Sequence, residues 1–134
     1  MISTEAALIY TMVIVSAADS IMTDSELSAI GEIVRHLPVF EEYDANLLPE
    51  TARSCAEVLS TDNGMETVLE LIKRSVPGPL RETAYALAIE IAAADGSTSQ
   101  EELRLLEMIR HRLEIDRLIA AGVERGARAR FARL

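Results

Sequence analysis

Acidic residues recur at two turns of the chain, in types and spacing that could bind a metal ion. The first turn contains Asp19, Asp24 and Glu26, and the second contains Asp95 and Glu102. Carboxylate oxygens are the ligands that hard divalent ions such as Ca²⁺ and Mg²⁺ prefer. If the two turns face each other, these side chains could converge on one cation. They are therefore the candidate metal ligands of this sequence.

The same glutamates also have a purely structural interpretation as parts of helix caps. Thr23 to Glu26 and Ser99 to Glu102 both fit the capping-box pattern S/T-x-x-E. In such a box the hydroxyl accepts a hydrogen bond from the first helical turn, and the glutamate accepts one from the N–H of the cap residue. An aspartate just before the box commonly bonds nearby turn amides. The sequence leaves both interpretations open.

Other metal and catalytic motifs are absent from the sequence. An EF-hand loop carries a second acid before its glycine and ends in a glutamate at position twelve, and a di-iron bundle needs Glu-x-x-His. The pairs Glu32/His36 and Glu107/His111 do not align between the two turns, which favours exposed i,i+4 pairs over a histidine site. Since no phosphate loop or nucleophile motif appears either, we expect no catalytic residue and no organic cofactor.

The two turns belong to an internal repeat. Residues 17–37 read AADSIMTDSELSAIGEIVRHL and residues 93–113 read AADGSTSQEELRLLEMIRHRL, with seven identical positions and no gap. An apolar run precedes each copy, YTMVIVS in the first and ALAIEIA in the second. The Ala and Leu content of the second run favours a helix for both. The repeat predicts two pseudo-symmetric helical hairpins, in halves of about residues 1–37 and 79–113.

Helical periodicity places the acidic positions at the edge of the core. The apolar stripes expected after the two turns are Leu27, Ile30, Ile33 and Leu37, and Leu103, Leu106, Ile109 and Leu113. Glu26 and Glu102 border these stripes, and Asp19 and Asp95 continue the apolar faces of the preceding helices. We therefore expect all four carboxylates at the rim of the core, where each must be hydrogen-bonded, paired or bound to a cation.

Residues 38–78 supply further helices between the copies. A short helix is predicted over residues 39–44, and a longer one over 49–59 that begins with a proline suited to a first turn. Asp62 or Asn63 is expected to cap the helix after that.

The C-terminal segment differs in charge from the rest of the chain. The net charge is −9, yet residues 117–134 hold five arginines and one glutamate. A last helix is predicted over residues 116–130 with Asp116 as its cap. An amphipathic helix of this kind could contact an anionic membrane or a partner groove. Because Gly122 and Gly126 weaken a helix, we favour a helix docked at its start with a frayed basic tail.

Length and composition predict one all-α domain over residues 1–134. The pattern along the chain predicts about seven to eight helices, and the Ser-Val-Pro-Gly-Pro stretch predicts a hinge between the halves at residues 75–79. Aromatic residues make up only 4% of the 134 residues, whereas strands are rich in them. Cys55 is the only cysteine, which fits a small buried side chain in a reducing cytoplasm. The acidic balance argues against nucleic acid as a partner.

The duplicated pattern A-A-D-[G/S]-x-x-[T/S]-x-x-E-L resembles the TerB-like family of tellurite-resistance proteins. The resemblance covers nearly the whole chain and implies an all-helical bundle, whose acidic turns are described as a metal site. Related domains lie beside J-domains in a membrane-anchored co-chaperone. The positions that correspond to the acidic turns are Asp19, Glu26, Asp95 and Glu102. Asp24 is an additional acid of the first copy, and Ser20 stands where the family usually has glycine.

These observations predict a non-catalytic, cytoplasmic stress-response protein of the tellurite-resistance type. It would bind a divalent cation, Ca²⁺ or Mg²⁺, at the acidic turns. The alternative is a protein- or membrane-interaction adaptor in which the turns are only helix caps. A protein partner or a homodimer is compatible with both, and peripheral membrane contact through residues 117–134 is the less favoured mode.

Overall fold

The chain folds into α-helices joined by turns, in a computed structural model that describes residues 1–18, 21–94, 96 and 98–134. The helices are α1 (Thr4–Ser16), α2 (Asp24–His36), α3 (Leu48–Leu59), α4 (Gly64–Ser75), α5 (Arg81–Ala94), α6 (Gln100–Arg112) and α7 (Arg117–Arg130). Three 3-10 turns lie at Pro38–Phe40, Ala45–Leu47 and Gly78–Leu80. The described residues contain no strand, so the prediction of an all-α bundle of about seven to eight helices is confirmed.

Two helices, α1 and α5, form the centre of the bundle. Every residue of α1 from Ala7 to Ser16 is buried, and α5 is buried along most of its length. A helix that is apolar on all sides must be covered on all sides. Accordingly α1 contacts α2, α3, α4, α5 and α6, and α5 also contacts α6 and α7. The two apolar runs of the sequence repeat are therefore the two core helices.

The repeat gives two contacting helix pairs, α1 with α2 and α5 with α6. The run YTMVIVS, which could pass for a strand in isolation, lies in α1 as predicted. Outer helices such as α2 and α6 bury only one face, because polar residues cover the rest of their surface. The loop joining each pair is the acidic turn, so the repeat places both turns directly beyond a core helix.

The middle segment departs from the predictions in two details. The sequence predicts a single helix over residues 39–44, but the structure has two 3-10 turns at the ends of this stretch, Pro38–Phe40 and Ala45–Leu47. The stretch is too short for helical hydrogen bonds to offset the free energy needed to start an α-helix. Asn63 precedes α4 but adopts a left-handed conformation with φ of 57° and makes no side-chain cap. Asparagine tolerates this conformation better than most residues.

Helix α7 packs along α5 and returns the C-terminal segment to the body of the protein. Asp116 caps it as predicted, because its Oδ2 accepts from the N–H groups of Leu118 at 3.1 Å and Ile119 at 3.3 Å. Arg130 pairs with Glu90 of α5 at 3.5 Å. No helix in the described ranges is long and apolar enough to cross a membrane.

The single cysteine is a core residue. Cys55 is 0% exposed on α3, and burial raises the pKa of its thiol from 9.0 to about 12. A thiol with so high a pKa stays protonated at neutral pH and is a poor nucleophile. The prediction of a small buried side chain is confirmed.

Candidate metal site at two capped acidic turns

The five candidate ligands lie in or next to the two loops that join the helix pairs. Asp24 and Glu26 belong to the first turn of α2, and Glu102 belongs to the first turn of α6. Asp19 and Asp95 lie outside the described residues. The structure therefore describes three of the five candidates.

The first turn ends in a complete capping box. The side-chain oxygen of Thr23 accepts from the N–H of Glu26 at 3.1 Å, and Glu26 Oε1 accepts from the N–H of Thr23 at 2.8 Å. Glu26 is half-buried at the edge of the core, whereas Asp24 is exposed. Both carboxylates lie near the positive end of the helix dipole, which favours them there. At this turn Glu26 lies at the rim, as predicted.

The second turn ends in the same box but holds its glutamate more deeply. Ser99 Oγ accepts from the N–H of Glu102 at 3.1 Å, and Glu102 Oε1 accepts from the N–H of Ser99 at 3.1 Å. Glu102 is only 6% exposed. It is the one carboxylate among the buried residues that the structure describes. A charge held away from water costs free energy unless hydrogen bonds or a counter-charge compensate it.

The buried face of α6 is rotated from the predicted one. Leu103, expected in the buried stripe, is 50% exposed, and Leu105 is buried in its place. The buried stripe therefore runs through Glu102, Leu105 and Ile109 with helical spacing of three and four residues. Glu102 lies on this stripe and not merely beside it, because α6 turns that side toward the core helices. The prediction for Leu103 was wrong.

Carboxylate oxygens of this kind suit a hard divalent cation. Among the described residues, however, no three His, Cys, Asp or Glu side chains lie close enough together to hold a metal ion. Asp24, Glu26 and Glu102 thus make no metal centre by themselves. A cation at either turn would also need Asp19 or Asp95, with main-chain oxygens or water completing its shell.

The comparison with family profiles adds an independent observation. The profile described as "Tellurite resistance protein TerB" matches residues 5–121, nearly the whole chain. The chain belongs to the TerB family. Comparisons with curated proteins and with solved structures gave no match. The match covers α1 to α6 and the start of α7, so both acidic turns lie within the TerB region, and the last nine residues of α7 and the tail beyond it do not.

The histidines of this TerB chain lie on its surface. His36 Nδ1 is 3.4 Å from Glu32, which also pairs with Arg35 at 3.1 Å, and all three side chains are mostly exposed. His111 is likewise exposed, and its Nε2 accepts a hydrogen bond from Nη2 of Arg110 at 3.3 Å. Sequence spacing predicted an exposed pair at the first of these positions, and the structure contains it.

A contact that the sequence did not predict joins α5 to α7. The phenol of Tyr85 donates to Glu124, 39 positions later in the chain. Burial, together with this hydrogen bond, raises the pKa of Tyr85 above its ordinary value. The only available signal was that Glu124 is the one acid among the five arginines of the C-terminal segment of this TerB chain.

The capping boxes predict a measurable stability difference. Thr23→Ala and Ser99→Ala are each expected to lower the free energy of unfolding by about 1 kcal/mol, because each leaves a helix N–H without its acceptor. Ser25→Ala, an exposed position of α2, is the control and should stay within about 0.5 kcal/mol of the parent. Urea unfolding followed by circular dichroism measures all three. Cap variants no less stable than Ser25→Ala would contradict the assignment.

Proposed function

We propose that this TerB-family chain is a non-catalytic protein of a tellurite-resistance or general stress response that binds a divalent cation at its acidic turns. The family supports the first half of the proposal, since the matching profile carries the description of a tellurite resistance protein. The chemistry of the turns supports the second half. Ca²⁺ and Mg²⁺ are the cations that best suit a set of carboxylate oxygens.

The observation that carries the cation proposal is the burial of Glu102. At 6% exposure its carboxylate loses most of its hydration, a loss that hydrogen bonds or a counter-charge must offset. A cation bound there would be held strongly, because opposite charges attract strongly where water is excluded. A cap alone does not require burial, since the equivalent Glu26 caps its helix while half-exposed.

The second turn is therefore the better candidate of the two. Asp95 and Glu102 would hold the ion there. Asp19, Asp24 and Glu26 would form a weaker site at the first turn. The two described carboxylates there, Asp24 and Glu26, are more exposed than Glu102, and exposed carboxylates attract an ion less strongly than buried ones. On this proposal the two copies of the repeat differ in affinity for the cation.

Several features support a non-catalytic role in the cytoplasm. The thiol of Cys55 is buried and protonated, and both histidines are exposed, so these side chains do not supply an activated nucleophile–base pair. A lone reduced cysteine also fits a reducing compartment.

An adaptor without a bound ion is the second candidate function. Two observations favour it: both capping boxes are complete without a ligand, and α7 leaves Leu118 79% and Ile119 38% exposed beside Arg117. Exposed apolar side chains next to arginines are common where proteins bind partners. The partner would be another protein or a second copy of this chain, with an anionic membrane surface as the less favoured alternative.

Calorimetric titration with Ca²⁺, Mg²⁺, Zn²⁺ and Mn²⁺ separates the two functions. The cation proposal expects binding by the parent protein and at least about a tenfold loss of affinity in Glu102→Gln, since one ligand charge is removed. Glutamine is accepted at the third position of a capping box, so this variant keeps the helix start while losing the charge. The double variant Asp95→Asn with Glu102→Gln is expected to show no binding.

Glu101→Gln is the matched control, because Glu101 is the exposed neighbour of Glu102 in the same helical turn. It should bind the cation like the parent. An equal loss in both single variants would indicate diffuse attraction to an acidic surface. No heat with any of the four cations would remove the metal function and leave the adaptor.

A further inference from the structure

A groove lies between α5, α6 and α7 on the side of the second acidic turn. Its volume is about 790 Å³, within the range of small-molecule sites in proteins. One wall is formed by the later part of α7 and the tail beyond it, and these residues lie outside the family match. The groove is therefore not part of what the family match describes.

The walls of the groove include six apolar side chains from three helices and the residue after the last one. They are Ile89 and Ala92 of α5, Leu103 and Leu106 of α6, and Ala127 and Phe131 at the end of α7. Leu103 is 50% exposed, and the groove is where that exposed surface lies. An apolar lining with a few polar groups is the usual composition of a site for an organic ligand.

Three arginines line the same groove without a carboxylate partner. Arg110, Arg128 and Arg133 take part in none of the ion pairs formed among the described residues. Arginines outside the groove include ion-paired ones, such as Arg112 with Glu66 and Arg130 with Glu90, as well as ones in no ion pair with a described residue. With a net charge of −9, acidic partners are not scarce. The groove therefore holds three positive charges that no ion pair among the described residues neutralises.

The two glutamates of the groove do not cancel this charge. Glu124 accepts the hydrogen bond from Tyr85, which fixes it against α5. Glu107 is exposed on α6 and forms no ion pair within the described part of the chain. The three guanidinium groups thus outnumber the described carboxylates of the groove, and none of them is in an ion pair with a described residue.

The chain also makes room for one of these arginines. A Cβ at Gly96 would lie 3.2 Å from Nη2 of Arg133, so a larger residue would press on that guanidinium. Gly96 has a φ of 81°, which glycine adopts without strain. Arg133 lies against the second turn as a result, and the tail lines one edge of the groove.

We propose that the groove between α5, α6 and α7 binds a small amphipathic anion, with an apolar body against Leu103, Leu106 and Phe131 and an oxyanion held by Arg110, Arg128 and Arg133. A carboxylate is the head group we favour, because the planar guanidinium fork donates two parallel hydrogen bonds to it. The rest of the protein is acidic and repels anions, and the arginines of the groove offset this repulsion locally. The inference does not depend on the cation function.

Octanoate is a suitable probe, and its controls are octanol, which keeps the apolar chain, and acetate, which keeps the carboxylate. We expect titration followed by NMR to give a dissociation constant of roughly 0.1–1 mM for octanoate, as befits a ligand of this size. Octanol, which lacks the charge, and acetate, which lacks the chain, should each bind at least about tenfold more weakly. Chemical-shift changes should concentrate in α5, α6 and α7.

Substitutions separate specific binding from general attraction. Arg110→Gln and Arg133→Gln are each expected to weaken octanoate about tenfold, since each removes a charge-assisted hydrogen bond. Arg117→Gln and Arg125→Gln remove the same charge from exposed positions of α7 that do not line the groove, and should leave the affinity unchanged. Arg133 lies beyond the last helix, so its variant is expected to fold like the parent.

Three results would overturn the proposal. They are the absence of saturable octanoate binding below about 10 mM, equal affinity for octanol and octanoate, and an equal loss of affinity in the groove variants and their α7 controls. The first denies the site, the second denies a role for the charge, and the third assigns the attraction to the whole basic segment.

Discussion

Gly64→Ala is expected to lower the free energy of unfolding by about 3 kcal/mol, a large share of the stability of a small domain. A Cβ at this position would lie 2.5 Å from the carbonyl oxygens of both Val58 and Leu59. These are main-chain atoms at the end of α3, so relieving the clash means moving a helix end and not a side chain. The residue is buried, and its N–H donates to Thr61 at 3.0 Å, which fixes it further.

Gly122→Ala is the matched control for this substitution. A Cβ at Gly122 would meet no other atom within 4 Å, and the residue lies inside α7. Alanine forms helix more readily than glycine, so this variant should be more stable by up to about 1 kcal/mol. Urea unfolding of both variants measures the difference. A loss at Gly64 no larger than about 0.5 kcal/mol would mean that α3 and α4 do not approach each other as described.

Local sequence signals were sufficient for most helix boundaries. The S/T-x-x-E boxes correctly predicted that α2 and α6 begin after Thr23 and Ser99, because the cap bonds involve only neighbouring residues. Asp116 predicted the start of α7 for the same reason. By contrast, Asn63 makes no side-chain cap, since the close approach of α3 and α4 determines its backbone conformation.

Features that depend on tertiary packing were less predictable. Leucines at positions 103, 105 and 106 allow two registers for the buried face of α6, and periodicity alone did not select the correct one. The groove combines α5, α6 and α7, and its contact between Tyr85 and Glu124 spans 39 positions. No local motif encodes such a contact, so the groove could not be predicted from the sequence.

The two copies of the repeat have come to differ around the same local motif. Both turns end in a capping box, but only the second buries its glutamate and only the second borders the groove that α7 closes. Helix α7 packs on α5 as α3 packs on α1, but α4 also covers α1 in the described contacts. Both proposed ligand sites therefore lie at the second copy because of its neighbours and not because of the motif itself.

The free energy of unfolding is expected to fall steeply as the pH rises above 9. Burial raises the pKa of the Cys55 thiol from 9.0 to about 12, so the folded state favours the protonated form. The stability linked to this preference is fully present below pH 9.0 and is lost as the pH rises toward 12. By pH 10 the loss should reach about 1.4 kcal/mol, because only the unfolded chain has then released its proton.

Cys55→Ala isolates this contribution, since alanine has no proton to release. Tyr10 and Tyr85 also have pKa values raised by burial, but from an ordinary value of 10.0, so most of their effect begins one pH unit higher. Urea unfolding at pH 8.0, 9.0 and 10.0 should therefore give a parent that loses about 1.4 kcal/mol more than the variant by pH 10. The variant should stay nearly flat to pH 9.0 and then lose the smaller amount that follows as the tyrosines of the unfolded chain begin to ionise. Parallel losses in both proteins up to pH 10 would show that Cys55 reaches water in the folded state, and that α3 does not pack on α1 closely enough to exclude it.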